Sequence, residues 1–169
     1  MADFPIDLED VNAMDPEAFV DAFGSVAEAT AWVAAEAEAN RPFATREAMV
    51  AAFAAAIAGA DPEDQMRLLQ AHPELAASRV MTDDSAREQR GAGLDRLSDG
   101  ERARLLSLNS AYRQRFGFPF ILAVRGARKN DIVAALEARL RNPPAAEFQR
   151  ALVEVQRIVR LRIEDRIAP

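Results

Sequence analysis

The sequence predicts an all-α, single-domain helical bundle, interrupted by one short extended segment near residues 117–125. Three observations predict it. Helix start and stop signals recur along the chain, apolar residues between them repeat at helical spacing, and neither strict alternation nor a Gly-Asn type hairpin turn is present. At 169 residues the chain is long enough for one domain that buries most of its apolar surface. No internal repeat or low-complexity linker divides it, so residues 1–169 are read as a single domain.

The elements follow in order. The first dozen residues are expected to be irregular. In MDPEAFVDAFG, Asp15 suits an N-cap, Pro16 the first helical position and Gly24 the stop. VAEATAWVAAEAEA is rich in Ala and Glu and predicts a second helix. Thr45 caps a third, in which Met49, Phe53 and Ile57 form one apolar stripe. DPEDQMRLLQAHPEL opens at Asp61 and Pro62 and presents Met66, Leu69 and His72 at three-residue steps. Roughly Ala76 to Asp84 is expected to be irregular. Ser98 and Glu101 then form an S-x-x-E capping box, and Gly117 ends that helix. Ile132, Val133, Leu136 and Leu140 share a face of the next helix, and Phe148, Leu152, Val155, Val159 and Ile163 form the stripe of the last.

Composition excludes several function classes. The net charge of −6 argues against a general nucleic-acid or anionic-membrane binder, both of which need a basic face. Arginines do cluster towards the C-terminal half, which leaves room for a local basic patch. The absence of Cys rules out disulfides, thiolate metal sites and cysteine nucleophiles. A single His rules out multi-His zinc sites. No D-x-D-x-D-G loop appears, although carboxylate-bound magnesium or calcium stays open on composition alone. MADFPIDLED lacks the basic and apolar regions of a signal peptide. The weakly polar run MVAAFAAAIAGA is twelve residues, short of the ~20 a membrane helix needs. A cytoplasmic protein is expected.

Four places invite chemistry, each with a plainer alternative. His72 is either a cap at a helix C-terminus before Pro73 or an acid–base group titrating near neutrality. Ser85 and Glu88 fit a capping box, with Gln89 as a helix-surface amide, or they line a site. Arg125 is a surface charge or a cation at a pocket rim. Phe118 to Val124 follows Gly117, and Pro119 biases Phe118 away from helical geometry. Such a segment has no sheet partner in an all-helical protein, yet its buried backbone groups need partners. They are met either by side chains and water or by a ligand rich in amide groups.

Three blocks together resemble one family. AHPEL at residues 71–75, SAREQRGAGLDRLS at 85–98 and LNSAYRQRFGFPFILAVRG at 108–126 look like signature blocks of the OHCU decarboxylases, where OHCU is 2-oxo-4-hydroxy-4-carboxy-5-ureidoimidazoline. NRPF at 40–43, Phe23-Gly24 and the closing LVEVQRIVRLRIED extend the resemblance over nearly the whole chain. AASRVMTDDS, between the first two blocks, departs from the more basic or Gly-containing linker of many relatives.

The resemblance implies the family's all-helical fold, a homodimer, and cofactor-free conversion of OHCU to (S)-allantoin, the last step from urate. It implies a catalytic His at His72 with Glu88 as its relay or orienting partner. It places substrate contacts at Pro73, Ser85, Gln89, the backbone of Phe120, Ile121, Leu122, Ala123 and Val124, and Arg125, with no metal. The substrate's own C=N group can take up the electrons of the breaking bond, which fits a sequence without a cofactor motif. Arg125 is expected to orient the substrate, because too firm a hold on its carboxylate stabilises the ground state. Two rival readings are an inactive helical binding module and a decarboxylase or hydrolase for another ureido acid.

Overall fold

In the computed structural model, residues 5–77 and 80–169 are described. Among them the chain forms nine α-helices: α1 Leu8–Ala13, α2 Pro16–Phe23, α3 Trp32–Glu38, α4 Arg46–Gly59, α5 Pro62–Ala71, α6 Asp83–Gly91, α7 Asp99–Phe116, α8 Lys129–Arg139 and α9 Pro144–Arg166. A 3₁₀ turn covers Gly24–Ala27. No strand occurs among the described residues, only an isolated parallel bridge between Ile6 and Ile167. The all-α prediction therefore holds. No helix among the described residues is long and apolar enough to cross a membrane.

Two compact units are distinguished by their internal contacts: residues 1–65 with 156–169, and residues 66–155. In the first, Phe19 is the hub of an aromatic core. Its ring centroid lies 4.9 Å from that of Phe23, 6.1 Å from Phe43 and 6.2 Å from Phe53. Met49, Phe53 and Ile57 are buried as the stripe predicts, and the Thr45 hydroxyl accepts the Ala48 N–H at 3.1 Å. A helix does form within the first dozen residues, contrary to expectation. Arg41 Nη1 donates to Val11 C=O at 3.0 Å and Met14 C=O at 2.6 Å, supplying partners at the end of α1 that local sequence does not reveal.

VAEATAWVAAEAEA also departs from its propensity, since only Trp32–Glu38 is α-helical. Glu28 adopts a positive φ of 57° and is buried against Arg162, 3.0 Å away. Arg162 also donates to Val26 C=O at 3.1 Å. With both charges buried, separating them would cost about 3–5 kcal/mol, more than the few tenths of a kcal/mol per residue that helix propensity offers.

The second unit is centred on Tyr112 of α7, which is fully buried. Phe116, Phe118 and Phe120 lie 4.6, 5.8 and 5.4 Å from its ring. The predicted capping box at the start of α7 is present, and Gly117 ends that helix with φ 81°. This left-handed conformation costs an ordinary L-residue about 1–2 kcal/mol.

The start of α6 differs from the sequence expectation. Thr82, not Ser85, is the N-cap, and its hydroxyl accepts the Ser85 N–H at 3.3 Å. Ser85 and Glu88 thus lie inside the helix, and the Ser85-x-x-Glu88 capping box does not mark its start. Because Asp83 is already helical, the irregular stretch from Ala76 is shorter than expected; its Ser78 and Arg79 lie outside the described residues.

Candidate active site

His72 is the first residue beyond α5. Pro73 disfavours helical geometry in the residue before it, so the helix cannot run on. The His72 N–H still closes a turn onto Leu69 C=O at 3.3 Å. At 3% exposure the imidazole is an interior group rather than a surface cap.

The chain after His72 is gripped by two other helices of the unit. From α6, Gln89 Oε1 accepts the Ala76 N–H at 2.9 Å. From α7, Arg102 Nη1 donates to Ala76 C=O at 2.9 Å, Asn109 Nδ2 donates to Leu75 C=O at 2.9 Å, and Arg113 Nε meets Glu74 Oε1 at 2.7 Å. Positions 102, 109 and 113 share one face of α7 because they are seven and four residues apart. Before His72, Gln70 Nε2 donates to Gly117 C=O at 3.1 Å. Ala76 holds an unfavourable φ of 60°, and hydrogen bonds to both its N–H and its C=O offset that strain.

These bonds join the three sequence blocks. Asn109 and Arg113 of the third hold Leu75 and Glu74 within the first, while Gln89 of the second holds Ala76, just after the first, and Gly117 of the third holds Gln70, just before it. On α6, Ser85, Glu88 and Gln89 occupy positions i, i+3 and i+4, which form one helix face. Ser85 and Gln89 are buried and Glu88 is half-buried. Gln89 is therefore not the helix-surface amide of the plainer reading. Its oxygen serves Ala76, and its nitrogen lies 3.7 Å from the Met81 sulfur.

The segment Phe120–Val124 is irregular, and the side chains of Phe120, Ile121 and Val124 are buried. Leu122 and Ala123 are half-buried, and Arg125 is exposed. Side chains already meet some of its backbone groups. Arg139 Nη1 donates to Ile121 C=O at 2.6 Å, and Glu154 Oε2 accepts the Ala123 N–H at 2.9 Å. Val124 C=O accepts from Ala127 N–H at 2.9 Å. A ligand can therefore use only the remaining main-chain groups.

Below this segment lies a network that sequence reasoning missed. Glu147 is fully buried and accepts from the Tyr112 hydroxyl, from Arg139 Nε at 2.7 Å and from Asn142 Nδ2 at 2.9 Å. Burial, and then the bond to Glu147, push the Tyr112 phenol well above its usual range. The Arg139 guanidinium also lies 4.5 Å from the Phe120 ring centroid. Spacing gives no signal for this network: Glu147 and Glu154, seven residues apart on α9, lie on a face away from the stripe of Phe148, Leu152, Val155, Val159 and Ile163, where a charge reads as solvated. Among the described residues, no group of three or more His, Asp or Glu side chains is placed to hold a metal ion.

Comparison with known proteins adds three likenesses and a family match. The sequence model for OHCU decarboxylase matches residues 12–164. The 2-oxo-4-hydroxy-4-carboxy-5-ureidoimidazoline decarboxylase of Haloferax volcanii is 42% identical over 161 residues, covering 95% of this chain and 96% of that protein. The uric acid degradation bifunctional protein of Bacillus subtilis is 43% identical over 158 residues; these span 94% of this chain but only 32% of the longer protein. A crystal structure of (S)-allantoin synthase superposes with a TM-score of 0.80 at 31% identity, covering 97% of this chain and 54% of that one.

Proposed function

The chain belongs to the OHCU decarboxylase family, and from that premise we propose that it is a carboxy-lyase converting OHCU to (S)-allantoin in urate degradation. The observation that carries this reading is the convergence of the three blocks through Gln89, Asn109, Arg113 and Gly117 around the chain flanking His72.

The substrate carbon that loses CO2 also bears a hydroxyl, and its ring neighbour is a C=N carbon carrying the ureido group. When the bond to the carboxylate breaks, its electron pair forms a C=C bond to the ring neighbour, the C=N pair moves onto the ring nitrogen, which takes up a proton, and CO2 departs. The hydroxyl then gives up its proton and becomes a carbonyl. The neighbouring carbon gains a proton on one face, which sets the hand of the product.

We assign the proton transfers to His72, with Glu88 as its relay or orienting partner. Positioned acid–base groups of this kind contribute ~10²–10⁴-fold. Gln89 Oε1 is engaged with Ala76, so its Nε2 is the group assigned to the ligand. Pro73 and Ser85 line the site, and Arg125 orients the substrate from the rim. The segment Phe120–Val124 offers its remaining main-chain groups to the ureide. No cofactor takes part, since the C=N group is the electron sink. Residues 1–169 act as one domain, in a homodimer, in the cytoplasm.

The test uses OHCU generated in situ from urate labelled at the carbon that becomes the carboxylate. The protein should release labelled CO2 well above the spontaneous rate. Release at the spontaneous rate would refute the activity, and sedimentation as a monomer would refute the dimer.

A further inference from the structure

The segment Phe120–Val124 is held by two buried charges of opposite sign. Arg139 of α8, 6% exposed, donates to Ile121 C=O, and Glu154 of α9, 1% exposed, accepts from Ala123 N–H. Each charge is itself anchored. Arg139 Nε donates to Glu147, and Glu154 Oε1 receives Arg150 Nη2 at 2.7 Å.

Peptide geometry gives this arrangement a consequence. In a trans peptide the C=O and the next N–H point in opposite directions. The peptides on either side of Leu122 are trans. Turning Ile121 C=O onto Arg139 directs Leu122 N–H away from that guanidinium. Turning Ala123 N–H onto Glu154 likewise directs Leu122 C=O away from the carboxylate. Leu122, half-buried, thus keeps a donor and an acceptor side by side, each facing away from the buried charge beneath it. No hydrogen bond to its main chain is found among the described residues.

We propose that Arg139 and Glu154 are positioning residues that fix the polarity of Leu122, so that its N–H and C=O pair with an –NH–CO– edge of a ureide substrate. A guanidinium only donates and a carboxylate only accepts, so neither can flip as a carboxamide or hydroxyl could. Polarity matters because a ureido edge offers one donor beside one acceptor. A reversed peptide would set like against like and leave polar groups unpaired. The proposal rests on the OHCU reading of the same site.

The experiment measures steady-state turnover of OHCU, generated in situ, by three variants. One replaces Leu122 with its α-hydroxy acid, which exchanges the N–H for an ester oxygen and leaves every side chain intact. The others are Glu154→Met and Glu154→Gln. The ester and Glu154→Met variants should raise KM at least tenfold while the pH profile of kcat stays as in the wild type. Glu154→Gln should recover most of the loss, because its amide oxygen still accepts from Ala123. A normal KM in the folded ester variant overturns the proposal while leaving the decarboxylase reading intact. If Glu154→Met fails to fold, the ester variant decides. Absence of wild-type turnover overturns both.

Discussion

At the scale of single residues, the proposed chemistry rests on His72 and Glu88. The imidazole is almost fully buried just past the end of α5, and the carboxylate is half-buried on the face of α6 that also carries Ser85 and Gln89. Replacing His72 with Asn keeps a polar side chain but removes the titrating ring. We expect kcat to fall ~10²–10⁴-fold with little change in the thermal midpoint. Glu88→Gln, measured the same way, should fall by a similar factor if the carboxylate relays or orients. The sequence made these residue types legible, since one His and no Cys leave few candidates for proton transfer. It did not disclose Gln89's dual environment. A hydrogen bond from residue 76 to residue 89 depends on a turn through a positive φ at Ala76, which no local propensity favours.

At the scale of elements, α7 is the part that organises the site. One of its faces holds the chain after His72 through Arg102, Asn109 and Arg113, and its C-terminal Gly117 starts the segment that reaches Val124. Asn109 is 1% exposed, so Asn109→Ala leaves Leu75 C=O buried without its donor. The expected cost is about 1–3 kcal/mol in denaturant unfolding, together with a lower kcat. Gly117→Ala should cost about 1–2 kcal/mol because of its φ of 81°, with no side-chain clash to add to it. Helix limits were readable wherever caps are local, as with Thr45, Ser98 and Gly117. They were misread where a distant group decides, as with Glu28 against Arg162, or where a neighbouring hydroxyl was the better cap, as with Thr82 over Ser85.

At the scale of the whole molecule, the helical class follows from repeated apolar stripes and recurrent caps, both of which are sequence properties. The buried polar networks are not, because each joins residues far apart in the chain. Tyr112, Arg139 and Glu147 form one such network beneath the Phe120–Val124 segment. Since the folded phenol titrates above its unfolded value of ~10, its contribution to stability is complete below that pH and is lost as pH rises beyond it. Unfolding midpoints should therefore drop between about pH 9.5 and 11, and Tyr112→Phe should flatten that drop. The role proposed for His72 and Glu88 is to steer proton delivery to one face of the decarboxylated intermediate. The most direct measurement is the circular dichroism of allantoin formed from OHCU generated in situ, comparing wild type with His72→Asn. Rapid growth of the (S)-allantoin signal is expected with the wild type and little or none with the variant. A racemic product from the wild type, or an equally rapid single-handed signal from the variant, would contradict it.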